Sequence, residues 1–187
     1  MAVTNYTITD STPLTVLSTA NAKLQLRLES SYTDEDTLID AYVVAAISNC
    51  ENFINGHIQP KTLVLWFDQF QNYEFETYPV IVSSVKYYKK DEASLTTLAT
   101  TDWYTTKTSN KKTKLVIDEI PGDVEDDRPD VVQVTATLGY ASANLIPEPI
   151  VLAIKLQVSD MYERREDRAS VPVTASQNLL RPYRNYL

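Results

Sequence analysis

Two segments with helical spacing of apolar residues bracket a long block that alternates as strands do. This segregation limits the folds open to the chain more than any other feature. Across residues 33–56, Ile39, Val43, Ala46, Ile47, Cys50, Phe53 and Ile54 recur every three or four positions, as one face of a helix does. Thr33 is placed to cap that helix, Asp34, Glu35 and Asp36 suit its positive N-terminus, and Gly56 follows its last turn as a C′ residue. A second stripe, Ile150, Ala153, Ile154, Val158, Met161 and Tyr162, follows Pro149, which a helix tolerates in its first turn. Leu152 and Leu156 lie off that stripe and predict contact on two sides, with a second core element or a neighbouring subunit. Between the helices, residues 63–70, 80–88, 103–106, 114–117 and 131–140 read as strands separated by polar loops. The last of them alternates, with Val132, Val134, Ala136, Leu138 and Tyr140 on one face and Val131, Gln133, Thr135 and Thr137 on the other. Helices, then strands, then a helix predict an α+β fold: a helical body of two longer helices and a short one, an inserted mainly antiparallel sheet, and a C-terminal arm.

Three segments follow from composition. Residues 1–18 are rich in Thr and Ser, contain Pro13 and lack a period, which predicts an extended arm that needs a partner to order it. Residues 19–165 form the core domain, opening with a segment at 22–28 whose Ala22, Leu24, Leu26 and Leu28 fit a short helix or a strand. Residues 166–187 form a second arm, in which 169–176 reads as a Val-Pro-punctuated spacer before Leu179, Leu180, Arg181, Tyr183, Arg184 and Tyr186. No internal repeat is present.

The chain carries 17 Lys and Arg against 25 Asp and Glu, a formal net charge of -8, which argues against a nucleic-acid reader. The distribution is uneven. Up to Glu163 there are 12 Lys and Arg against 23 Asp and Glu, net -11, and from Arg164 onward 5 Arg against 2 acids, net +3. Apolar runs are too short for a membrane span, and the first ten residues lack the basic start and apolar stretch of a signal peptide, so an unexported protein is expected. The single cysteine, Cys50, cannot make an internal disulfide and agrees with a reducing cytoplasm.

Catalytic chemistry has little to draw on. The one histidine, His57, follows Gly56 at a helix end, where imidazole commonly serves a terminal carbonyl, and Cys50 sits on an apolar stripe as a small hydrophobe would. Glu163 and Asp167 form a carboxylate pair at helical spacing, too common to carry a hydrolase by itself. The acidic run Asp118, Glu119, Asp123, Glu125, Asp126, Asp127 and Asp130 lacks the ordered spacing of a calcium loop and reads as a solvated loop. Three glycines, Gly56, Gly122 and Gly139, cannot build a phosphate-cradling loop. No cofactor and no metal is implied. Lys111, Lys112 and Lys114 mark a hairpin loop able to meet DNA or an acidic neighbour. The twelve tyrosines, with arginines in the last segment, suit an interface, where large side chains with polar tips concentrate binding energy.

Five features taken in order carry a family resemblance: the run from Asp34 to Ile39 opening the first long helix; Ala45-Ala46 to Glu51-Asn52-Phe53-Ile54 closing it; Pro79-Val80 to Val85-Lys86-Tyr87-Tyr88; Gly139-Tyr140 to Pro147-Glu148-Pro149; and Tyr162-Glu163 to the Leu179-Leu180-Arg181-Pro182-Tyr183-Arg184 arm. In these the chain resembles the head-to-tail connector (adaptor, or head-completion) proteins of tailed bacteriophages and prophages, from about Thr19 to Tyr183. The resemblance implies a non-enzymatic virion protein, assembled in the bacterial cytoplasm, that forms a ring of about 12 subunits by heterologous contacts. That ring joins the portal protein to a downstream neck or tail protein, and DNA passes its central channel without sequence-specific binding. It assigns portal docking to Leu179, Leu180, Arg181, Tyr183, Arg184 and Tyr186, with Arg164, Arg165 and Arg168 as secondary contacts. The loop of Asp123, Glu125, Asp126 and Asp127 would face the channel, and the arm would be removable without unfolding the domain. A stopper or tail-terminator of the same neck is the alternative, with a carboxylate-dependent hydrolase as a rival from another class.

Overall fold

The structure, a computed structural model, describes residues 3–109, 112–125, 127–165 and 175–186. The chain divides into two compact units: a helical unit of residues 14–58 and 142–186, and a sheet unit of residues 59–141 joined by the N-terminal residues up to Pro13. The sheet is therefore inserted into the helical body, and the α+β class expected from the segregated periodicities is what the chain adopts. Of the sequence-derived candidates, Lys111, Asp126, Asp167, Arg168 and the part of the spacer at 169–174 lie outside the described residues.

In the helical unit, α1 (Thr19–Leu26) resolves the helix-or-strand ambiguity at 22–28, because Ser18 caps it through a hydrogen bond from the Asn21 N–H to the Ser18 hydroxyl at 3.3 Å. α2 (Asp36–Ile54) buries Ile39, Val43, Ala46, Ile47, Cys50 and Ile54, the predicted stripe except for half-buried Phe53. Its ends differ from expectation. The helix begins at Asp36 rather than beside Thr33, whose carbonyl instead accepts the Asp36 N–H at 3.2 Å, and the Glu35 side chain is drawn away to other partners. At the other end Asn55, not Gly56, takes the left-handed conformation (φ 51), a role asparagine fills with little strain. α3 (Glu148–Glu163) buries Ile150, Ala153, Ile154 and Val158 and packs on α2 and on α4 (Ala175–Leu180). A short 3-10 turn, Arg181–Tyr183, follows α4. Lys23 of α1 is buried and stays paired with Asp36 at 2.5 Å.

The sheet unit holds two antiparallel sheets. One has the order β1-β2-β8-β4-β5, with β1 at Asn5–Asp10, β2 at Lys61–Phe67, β4 at Val80–Tyr88, β5 at Leu95–Thr97 and β8 at Val132–Leu138. The other has the order β3-β7-β6, from Tyr73–Phe75, Lys112–Ile117 and Trp103–Ser109. The alternation read in β8 is observed: Val132, Val134, Ala136 and Leu138 are buried and the residues between are half-buried. Leu63, Leu65 and Phe67 of β2, Val85 and Tyr87 of β4, and Phe75 and Leu115 of the smaller sheet close one core with them.

Two expectations are corrected. The N-terminal residues do not wait for a partner: Asn5–Asp10 pair with β2 along their whole length, and Leu17 is buried in the helical unit. Their Thr, Tyr and Ile content favours a strand, and the partner needed to order them is supplied by Lys61–Trp66, far along the chain. Lys112 and Lys114 are also not in a loop, since both belong to β7, where the strand begins two residues earlier than its apolar residues announce.

Candidate interaction surface

The C-terminal segment was the leading candidate, and the structure sorts its residues by burial. Leu180 is fully buried, Leu179 and Tyr183 are half-buried, and Arg181, Arg184 and Tyr186 are exposed. α4 packs against α3 and α2, so Leu180 completes the core of its own unit and is not available for docking in this arrangement. Burial of a leucine side chain contributes about 2 kcal/mol toward holding the segment against its unit.

Asn185 makes the attachment specific. Its backbone N–H donates to the Ile54 carbonyl at 2.7 Å and its side-chain Nδ2 to the Asn55 carbonyl at 3.1 Å. These carbonyls end α2, where the last turn lacks intrahelical donors, so Asn185 caps a helix 130 residues upstream. The Arg184 guanidinium lies 5.3 Å from the Phe53 ring and 5.4 Å from the Tyr186 ring, within cation–π reach of both. Beside it runs an open groove of about 740 Å³, lined by Asn49 and Phe53 of α2, Leu156 and Met161 of α3, Gln177 of α4, and Arg184. Leu156, which lay off the α3 stripe, is thus on a groove wall, and Leu152 is 44% exposed.

The secondary basic residues are partly committed. Arg165 pairs with Glu35 at 2.8 Å, and the Tyr162 hydroxyl donates to the same carboxylate at 2.5 Å, so three side chains fasten the end of α3 to the start of α2. The Tyr162 hydrogen bond, and after it the one from Arg165, hold the Glu35 carboxyl below the usual carboxylate range. Arg164 is exposed and pairs with Asp160 at 3.4 Å, one turn back on the helix. In the sheet unit Lys112 pairs with Glu74 at 2.9 Å and Lys114 lies opposite Glu74 in register, which makes both cross-strand partners of one carboxylate.

The acidic loop is tied down by its own chain. Asp123 accepts from the Tyr87 hydroxyl at 3.2 Å and lies 3.4 Å from Lys89, and Glu125 accepts the Asp91 and Asp127 N–H groups at 3.3 Å each. Asp127 is exposed. The Arg128 guanidinium sits 3.6 Å over the Tyr88 ring, which in turn stacks on Trp66. Among the described residues no three acidic, histidine or cysteine side chains converge as a metal site would need, and no helix is long and apolar enough to cross a membrane. His57 is half-buried. Cys50 is fully buried, and burial, then the neighbouring Glu51 charge, push its thiol up to about 12, far from a nucleophile's range.

Sequence reasoning missed Asn185 and Glu35. Neither carries a local signal, because each acts on a partner about 130 residues away. Phe53 belongs to the predicted apolar stripe, yet it is half-buried with the Arg184 guanidinium over its ring.

No family model matches the sequence, and no curated protein does. Solved structures match over nearly the whole chain. A chain in the neck of an empty gene transfer agent (GTA) particle computed with C6 symmetry aligns with a TM-score of 0.67 at 20% identity, covering 97% of this chain and 96% of that one. A chain in the virion of the native GTA particle aligns at 0.68 and 20% identity, with 96% of each chain covered. A chain in the neck of the native particle computed with C12 symmetry aligns at 0.63 and 17% identity, covering 97% and 96%. At these identities the common property is the fold.

Proposed function

We propose that this protein is a non-enzymatic structural component of the neck of a tailed-phage-like particle. In that role it forms a ring of about 12 copies that joins the portal vertex of the DNA-filled head to the next neck or tail protein. Its place is the virion, after assembly in the bacterial cytoplasm. The observation that carries the reading is the near-complete mutual coverage with chains from GTA necks, 97% of this chain and 96% of each of those. Charge supports it: a body of net -11 lets DNA slide through a bore without sticking, whereas a basic last segment suits an acidic partner.

The packed state of that segment refines the docking. The portal would meet Arg181, Arg184 and Tyr186, with Leu179 and Tyr183 at the edge, while Leu180 and Asn185 hold the segment in place from behind. Arg164 and Arg165, both exposed although ion-paired, would supply the secondary contact.

The test is a pull-down of the portal protein with the full chain and with the Arg181→Glu, Arg184→Glu, Tyr186→Ala variant. All three residues are exposed, so the fold should survive and portal retention should drop more than tenfold. Undiminished retention by a folded variant removes the docking surface. Particle images then place the ring, either against the portal as a connector or one layer below it as a stopper.

A further inference from the structure

Four strand edges are free among the described residues: β1 and β5 in the larger sheet, β3 and β6 in the smaller. Free edges invite pairing with other chains, and proteins usually blunt them by shortness, lysine, proline or a bulge. β3 and β5 have three residues each, and β6 carries Lys107 and a register shift between Lys107 and Ser109. β1 has none of these protections. Its six residues, Asn-Tyr-Thr-Ile-Thr-Asp, run in unbroken register with β2, all exposed, without lysine or proline.

The outward chemistry of β1 follows from its ladder. Ser11 N–H donates to the Pro60 carbonyl, continuing the register of Asp10 opposite Lys61, and hydrogen-bonded pairs alternate along an antiparallel ladder. Thr9, Thr7 and Asn5 therefore point their backbone groups at β2, and Tyr6, Ile8 and Asp10 point theirs at the free edge. Tyr6 and Ile8 also lie opposite Leu65 and Leu63, both buried, so their side chains extend the core face of the sheet. Yet Tyr6 is 66% exposed and Ile8 44%.

We propose that β1 is a contact between two copies of this chain, paired antiparallel about a two-fold axis, with Tyr6 opposite Ile8 of the partner subunit. The strand is complementary to itself in this register. Outward-pointing backbone groups of Tyr6 and Ile8 meet their like, the aromatic and the β-branched side chain share the core face, and Thr7 faces the partner's Thr7 across the axis. The added strand covers both exposed apolar side chains, and no charge lies opposite a like charge. An isologous contact closes at two copies, so this pairing is separate from any contact that propagates around a ring and goes beyond the neck role. Each copy carries a net charge of -8, so pairing strengthens as salt screens the repulsion.

Light scattering of the full chain, without portal, tests it across concentration and salt. The expected mass rises from 21.1 kDa toward twice that value. Ile8→Pro removes one outward N–H and no bond to β2, so it should keep the native circular dichroism and stay at the single-copy mass. A second pair of variants reads the register without relying on proline. Across the axis the Cα atoms at position 7 are about 4.5 Å apart, within disulfide reach. Thr7→Cys should therefore cross-link in oxidised glutathione, while Thr9→Cys, facing the partner's Asn5, should not. Buried Cys50 contributes no cross-link. A wild-type chain that stays single at every concentration overturns the proposal. So does either of two other results: a folded Ile8→Pro variant that still doubles, or equal cross-linking at positions 7 and 9.

Discussion

Leu180→Ala measures whether the C-terminal segment belongs to the helical unit or hangs from it. Leu180 is fully buried. The substitution removes about three carbons, worth about 2.4 kcal/mol at about 0.8 kcal/mol each. A cavity of up to about 80 Å³ would add at most about 2 kcal/mol more at about 24 cal/mol per Å³. Because α4 is only six residues long and ends near the terminus, it can settle inward and recover part of the second term. The expected loss is therefore about 2.5–4 kcal/mol. Urea unfolding of the full chain, followed by far-UV circular dichroism, gives the difference in midpoint at constant m. Asn185→Ala should cost about 1 kcal/mol by the same assay, since only the side-chain bond to the Asn55 carbonyl is lost. The two losses should not add, because the residues secure one segment. A Leu180→Ala loss below about 1 kcal/mol would mean that the segment hangs free as an arm. The same logic corrects the expectation that residues 177–187 can be deleted without harm: deletion strips Leu180 from the core and the cap from α2, so exposed-residue substitutions are the sounder probe of docking.

Folding lowers the Glu35 pKa, so its contact with Tyr162 and Arg165 stabilises fully above the unfolded carboxylate value of about 4.3 and is lost as pH falls through the lower folded value. Glu35→Gln should flatten the acid limb of Tm against pH below about 4.3 and leave the profile near neutrality parallel to wild type. Cys50 should resist a thiol reagent at pH 8 in the native chain and react at once in urea, and Cys50→Ser should cost about 1–3 kcal/mol by burying a hydroxyl, read from urea midpoints. Asp36→Ala strands the buried Lys23 ammonium and should cost about 2–4 kcal/mol, whereas Lys23→Met should be neutral or stabilising; thermal melts distinguish them.

Read alone, the sequence reveals the fold class, the buried faces of α2, α3 and β8, and where the sheet is inserted, because periodicity records which side of an element meets the core. It also determined the scarcity of catalytic groups and the division of charge between body and last segment. Tertiary structure alone decided the partnering of distant segments. Asn5–Asp10 became an edge strand because β2 offered it a ladder, Asn185 became a cap because α2 ended beside it, and Glu35 left its helix to hold Arg165 and Tyr162. The acidic loop lost its freedom to Tyr87 and Lys89 in the same way. Hydrogen bonds and ion pairs between residues far apart in the chain leave no period behind, since a donor that finds its acceptor by folding needs no particular neighbour in sequence.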